Sequence, residues 1–547
     1  MLKKLLSLLF LLPLLVTAQD IDVQHYAFAI RLFDSTDRIE GETYLDIRFP
    51  GGNRSFALDL VGKKANGKGM TVQQFNGYNV ASWKQEGDRI LVELKEGINN
   101  QDAYRFQVRY SGIPADGLII SKNKWGDRTF FADNWPNRAH HWIPCNDRPD
   151  DKASFEFRVT VPAPYTVISN GAAEQDKDAD DPEKWAAGPR HYYYVERTPQ
   201  PTKVMVIGAA RFAVKTFEDS PQGIPVSAWV YPQDSSKGFY DYAVAPSILK
   251  FFSSYIAPFP YSKLANVQSK TIFGGMENAS AIFYAEESVT GDRKWEDVIA
   301  HEIAHQWFGD MASEKSFAHL WLSEGFATYF TNLYIEHKYG TDSMRKRLQD
   351  DRRKIIGFVA ANPTRAVVDS TQNLMSLLNA NSYDKGGWVL HMLRQEVGDT
   401  AFQTIIRKYY ETYKGSNAET RDLQRIASEV SGKPMDTFFN QWLYRGGIPS
   451  LYFSKKVKEG KVLIEVAQKT REPFSFTLEV GLLDNSGKLT LHRIPVSERQ
   501  TTIKLETGNR SGIKVLVDPN TSLLFQESAE KGNYFRVRKG AGPGSVN

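Results

Sequence analysis

Residues 301–310 read HEIAHQWFGD, with two histidines four positions apart and a glutamate directly after the first. On an α-helix, residues four apart lie on one face, one turn from each other, so the rings of His301 and His305 can turn toward one ion. Glu302 stands about 100° round the helix from His301. It borders the histidine face without joining it, which suits a base acting on metal-activated water rather than a third ligand. The ordinary alternative is a helix that happens to carry two imidazoles, because a lone histidine is more often a satisfied core or surface residue than a ligand. That reading fits His25, His140, His141, His191, His319, His337, His391 and His492.

A hydrolytic zinc site takes three protein ligands and keeps one position open. Downstream, WLSEGFATYF (321–330) places Glu324 nineteen positions after His305. That leaves room for one helix to end, for MASEKSFAH (311–319) to turn, and for a second helix to pack alongside. Upstream stands GGMEN (274–278), where paired glycines let backbone approach a ligand closely and Glu277 offers a carboxylate. Alone, GGMEN would read as a turn. Treating His301, Glu302, His305 and Glu324 as ordinary residues would require four coincidences on two neighbouring helices.

Outward from this centre the pattern changes twice. Toward the N-terminus, TYLDIRF, RILVELKE, YRFQVRY and SFEFRVTV alternate apolar and polar residues between clusters such as GGNRS and DADDPEKW. This predicts a largely antiparallel β domain over 19–215. From about residue 240 apolar residues recur three and four apart, in DYAVAPSILKFFSSYI, WEDVIAHEIAHQWFGD, LWLSEGFATYFTNLYIEHKYG and later segments through DTFFNQWLYRGG. Residues 216–446 are therefore expected to form the catalytic domain. After Pro449, KVLIEVAQK, FTLEVGLL, KLTLHRIPV and TTIKLET are short strands, with DNSG (484–487) as a hairpin turn. They predict a small β-sandwich over 447–527, followed by a charged, Gly-rich tail at 528–547.

The first residues, MLKKLLSLLFLLPLLVTAQD, combine Lys3 and Lys4 with an apolar run to Val16 and small residues at 17–18. This predicts a signal peptide over 1–18 and export to the periplasm or the cell exterior. The run is short for a bilayer span, and no membrane span is expected in the mature chain. With 547 residues, the chain is too long for one core. A net charge of +4 gives no support for nucleic-acid binding. Cys145 is the sole cysteine, so no internal disulfide can form, and it reads as a buried structural thiol.

Together GGMEN, HEIAHQWFGD, WLSEGFATYF and SYDKGG (382–387) resemble the M1 (gluzincin) family of zinc aminopeptidases. QWLYRGGIP (441–449) looks like that family's junction into its sandwich, and RPDDKASFEFRVTVP (148–162) like a stretch of its N-terminal domain. The likeness covers about residues 20–525 and is to a secreted bacterial type without the large C-terminal helical domain. It implies a multidomain α+β fold: an N-terminal β-saddle, a thermolysin-like zinc catalytic domain and a C-terminal β-sandwich. It implies one Zn2+ per chain on His301, His305 and Glu324, with Glu302 as general base. Tyr383 would donate to the oxyanion, and Glu277 would bind the free α-amino group of a peptide substrate. Gly274, Gly275, Met276 and Asn278 would line the substrate. The expected activity is hydrolysis of the N-terminal peptide bond of peptides.

Two departures stand out. Ser323 precedes Glu324 where the family often has Asn. No second amine anchor is recognisable near Asp133, Asn134 and Trp135. Two rival readings remain: hydrolysis of a non-peptide substrate such as an epoxide at the same zinc, and a catalytically silent binding protein on the same fold. The silent reading would be expected to lose a ligand or the base, and all four residues are present.

Overall fold

The computed structural model describes residues 21–98, 102–174, 188–458, 460–508 and 512–529. The expected signal peptide and most of the C-terminal tail lie outside the described residues. The chain divides into two compact units. One runs to Pro246 and takes in Pro260–Glu296; the other comprises Ser247–Phe259 and continues from Asp297.

The first unit is built on a seven-stranded sheet. Its strands, in spatial order, are Ala172–Glu174, Arg190–Pro201, Lys152–Val161, Asp22–Arg31, Ile39–Arg48, Tyr104–Ile113 and Gly69–Gly77. All neighbours are antiparallel except Asp22–Arg31 with Lys152–Val161, which run parallel with Phe28 opposite Phe157. The alternation visible in the sequence appears directly: Tyr26, Phe28 and Ile30 are buried, as are Phe155, Phe157 and Val159. The Phe28 and Phe157 rings stack at 4.9 Å. Smaller sheets of three and four strands complete this part.

The helical pattern expected from residue 240 is interrupted. Strands Ala213–Phe217, Val226–Val230, Leu264–Ser269, Ala281–Ala285 and Gly275–Met276 form a mixed sheet in that order. Leu264–Ser269 runs parallel to both its neighbours and every residue in it is buried. A strand covered on both faces shows no alternation, which is why LANVQS does not announce itself. Helices α1 (Ser235–Tyr242) and α2 (Ala245–Tyr255) belong to the crossover that parallel pairing requires.

The second unit holds the main helices: α3 (Glu296–His305), α4 (Trp321–Tyr339), α5 (Thr341–Ala361), α6 (Gly386–Val397), α7 (Asp399–Tyr413), α8 (Thr420–Ser431) and α9 (Asp436–Phe439). The sequence suggested a helix through Asp310, but α3 stops at His305. Likewise DTFFNQWLYRGG is one short α turn followed by a π-helical turn, Asn440–Tyr444. Helices α4 and α6 meet backbone to backbone: a Cβ on Gly325 would lie 2.8 Å from the Gly386 backbone. Glycine on both sides therefore sets the spacing between WLSEG and YDKGG.

The C-terminal strands form two sheets. One contains Gln500–Glu506, Lys461–Gln468, Ser450–Lys458 and Gln526–Glu527; the other contains Leu489–Val496, Phe476–Leu483 and Lys514–Val517. Each buries one apolar row, Val462, Ile464 and Val466 in the first and Leu478, Val480 and Leu482 in the second. Asp484–Gly487 turns the hairpin, with Gly487 at positive φ and its N–H donating to the Asp484 carbonyl. Among the described residues no helix is long and apolar enough to cross a membrane.

Candidate metal centre and active site

Helix α3 brings the two histidines into register one turn apart, and α4 brings Glu324 against them. His301 Nε2 and His305 Nε2 are 3.1 Å apart. Glu324 Oε2 lies 3.3 Å from each of these nitrogens. Zinc bonded at about 2.0–2.1 Å to tetrahedrally disposed ligands requires ligand atoms roughly 3.3 Å from one another. The three donor atoms already have that spacing, and the residue types match a zinc donor set.

The protonation states fit as well. His305 Nδ1 lies 3.1 Å from the Phe308 carbonyl oxygen, which can only accept, so Nδ1 carries the hydrogen and Nε2 presents its lone pair. Ser323 Oγ lies 3.0 Å from the same Nδ1 and supplies a second contact. Burial lowers the His301 pKa against the raising effect of Glu324, favouring neutral imidazole. Burial alone would raise the Glu324 carboxyl. A positive charge on the imidazole side, which a proton on His305 or a metal cation would each supply, outweighs it and holds that carboxyl well below the usual carboxylate range.

The turn after α3 permits this arrangement. Asp310 N donates to the His305 carbonyl, Gly309 N to Ala312 O and Ala312 N to Trp307 O. Gly309 has φ +121°, a conformation that residues with a side chain rarely adopt. A Cβ there would stand 2.3 Å from Ser323 Oγ and 2.9 Å from His305 Nδ1. Gly309 was not singled out in the sequence, although a glycine just past a helix end is a recognisable stop signal.

Glu302 is 5 % exposed, with a carboxylate oxygen within 4.8 Å of a His305 ring nitrogen. Tyr383 sits in a π-helical turn, Asn381–Lys385, running straight into α6. Its ring lies nearly parallel to that of His301, at 14° with centroids 5.9 Å apart.

GGMEN belongs to the first unit. Gly275–Met276 is one of the two edge strands of the mixed sheet there, paired antiparallel with Phe283 and Tyr284. Gly274 backs onto the Trp295 ring, which a Cβ would approach to 3.3 Å. Met276, Glu277 and Asn278 are buried. In the same unit, the Asp133 carboxylate is fully buried and both its oxygens are engaged. One accepts from Arg138 Nη2 at 2.6 Å. The other accepts from Thr271 Oγ1 and Ile272 N, both at 3.0 Å.

Comparison with known proteins decides the family. Residues 240–442 match the Peptidase family M1 domain, and residues 23–195 match the Peptidase M1 N-terminal domain, together more than half of the chain. The chain belongs to peptidase family M1. Probable aminopeptidase 2 of Sulfurisphaera tokodaii is 26% identical over 457 residues, covering 79% of this chain and 55% of the relative. Glutamyl aminopeptidase of Homo sapiens is 26% identical over 458 residues, covering 77% and 46%. The chain spans about half the length of the curated M1 relatives it matches. The crystal structure of Legionella pneumophila aminopeptidase A in complex with aspartic acid shares the fold of this chain. Its TM-score is 0.80 at 18% identity, covering 94% of this chain and 60% of that chain.

Proposed function

We propose that this M1 chain is a zinc-dependent aminopeptidase that hydrolyses the N-terminal peptide bond of peptides. The observation that carries the reading is the donor set of His301, His305 and Glu324 at mutual distances of 3.1–3.3 Å. These residues would hold one zinc ion. Bound there, zinc supplies a Lewis acid for the scissile carbonyl and lowers the pKa of water.

The remaining chemistry belongs to the side chains. The Glu302 carboxylate accepts the proton of the attacking water and passes it to the nitrogen of the leaving amine. The Tyr383 hydroxyl donates a hydrogen bond to the oxyanion, where a donor acts chiefly on the transition state. Glu277 takes the substrate's free α-ammonium in a charge-assisted hydrogen bond, roughly twice as strong as a neutral one. The Gly275–Met276 strand ends its sheet, and a sheet edge is where an extended peptide is usually received. Asp133 has no role in this scheme, because its carboxylate is already satisfied inside its own unit. Lys3, Lys4 and the apolar run behind them support export of the chain, to the periplasm or outside the cell.

A panel of aminoacyl fluorogenic substrates tests the function. Cleavage should appear for at least one substrate, vanish on treatment with a chelator and return with zinc. Activity that persists after metal is stripped would refute the metal assignment.

A further inference from the structure

The turn that carries Tyr383 is tied down at every other residue. Asn381 Nδ2 donates to the carbonyls of Arg365 and Ala366, at 3.0 and 3.1 Å. Ser382 Oγ donates to the Leu377 carbonyl at 2.6 Å. Asp384 accepts from Lys354 of α5 at 2.9 Å. Lys385, fully buried, donates through Nζ to the Gly447 carbonyl at 2.9 Å. Tyr383 lays its ring nearly parallel to that of His301.

The Lys385 contact reaches the motif QWLYRGGIP, which so far has served only as a junction. Its glycines are held in a particular place. Gly447 has φ +82°, and a Cβ on Gly446 would stand 2.4 Å from the Thr364 carbonyl carbon. The next residues after Thr364 are those whose carbonyls receive Asn381. Val367 N and Val368 N both donate to the Leu443 carbonyl, each at 3.0 Å. Three segments distant in sequence thus form a closed brace: the π turn, the 364–368 stretch and the 443–447 turn. Burial, reinforced by Arg445, lowers the Lys385 amine to about 7, and it remains a donor in either protonation state.

A buried amine is costly unless it is hydrogen-bonded, and the Gly447 carbonyl supplies that bond. A π turn is an uncommon distortion, frequently found at functional sites. We propose that Lys385 is a positioning residue: through the Gly447 carbonyl it fixes the π turn and so aims the Tyr383 hydroxyl at the oxyanion. Asn381 does the same from the opposite end of the turn. This rests on the reaction proposed above, in which Tyr383 is the oxyanion donor.

The test is a double-mutant cycle. Lys385→Met keeps the length of the side chain and removes its donor. A small misplacement of a reacting group costs on the order of a hundredfold, so kcat should fall by about ten- to a hundredfold. KM should stay within about twofold, because ground-state binding does not use this contact. In a Tyr383→Phe background, Lys385→Met should change kcat by less than about twofold, since it acts only through the hydroxyl already removed. Additive losses, or an unchanged kcat in the single variant, would overturn the proposal. Asn381→Leu carries the same expectation if Lys385→Met fails to fold.

A second readout needs no activity. With 3-fluorotyrosine placed at 383, Lys385→Met should shift or broaden the single fluorine resonance, and an unmoved resonance would overturn the brace. If the resonance moves but the wild type cleaves no aminoacyl substrate, the brace stands and the aminopeptidase reading falls.

Discussion

Gly309→Ala should weaken zinc binding although residue 309 is no ligand. The added Cβ would sit 2.3 Å from Ser323 Oγ and 2.9 Å from His305 Nδ1, well inside contact distance. Either the backbone leaves φ +121°, or Ser323 and the imidazole are pushed apart. Holding alanine in such a conformation costs about 1–3 kcal/mol. Relieving it by rotating His305 gives up the Nδ1 contacts to Phe308 and Ser323 that fix the ring. Loss of such outer contacts typically lowers metal affinity by roughly 10–100-fold, or about 1.4–2.7 kcal/mol. Ser323→Ala removes one contact and adds no atom, and the Phe308 carbonyl still holds the ring, so its cost should be at most about tenfold. The assay is competition for zinc against a chelator of known affinity, on wild type and both variants. Equal affinities for wild type and Gly309→Ala would refute the argument. So would a Ser323→Ala loss larger than that of Gly309→Ala.

Glu302→Gln should keep its zinc, measured by elemental analysis, and lose on the order of a hundredfold or more in turnover, since it keeps the shape and loses the base. Arg352 of α5 pairs with buried Asp518 at 2.8 Å and lies 4.9 Å from the Trp388 and Phe525 ring centroids. Arg352→Met strands the carboxylate and should cost about 3 kcal/mol in urea unfolding, partly recovered by adding Asp518→Asn. His391 is pushed down to about 3 by burial, with Nε2 donating to the Thr521 carbonyl and Nδ1 beside the Tyr329 hydroxyl. Its folded pKa lies below its unfolded value of about 6.5, so its contribution is whole above that pH. The contribution is lost as pH falls toward 3, at up to about 1.4 kcal/mol per pH unit. Wild type should therefore lose stability relative to His391→Gln between pH 7 and 5, and a constant difference would contradict this.

Local periodicity made much of the fold legible. Four-residue spacing puts His301 and His305 on one face wherever a helix forms, and Glu324 needs only a second helix beside it. The strands of the seven-stranded sheet announce themselves because one face is buried and the other is not. What stayed hidden depends on partners distant in sequence. Leu264–Ser269 is buried on both faces and so carries no alternation. The end of α3 at His305 is set by a turn whose glycine makes room for Ser323. The π turn at Tyr383 is held by Gly447 and by the carbonyls of Arg365 and Ala366, contacts that spacing cannot express. Lys385, a charged residue within SYDKGG, is fully buried, and nothing local in the sequence marks it as such.

The central claim is that cleavage begins at a free N-terminus, and one comparison addresses it. Zinc and Glu302 would serve an endopeptidase equally well, so the distinction rests on an anchor for the ammonium, assigned to Glu277. Two peptides of one sequence, one free and one N-acetylated, should be incubated with the zinc-loaded wild-type chain and the products followed by mass. The account predicts stepwise loss of single residues from the free peptide and almost no cleavage of the acetylated one. Equal cleavage of both, or cuts at internal bonds, would contradict it.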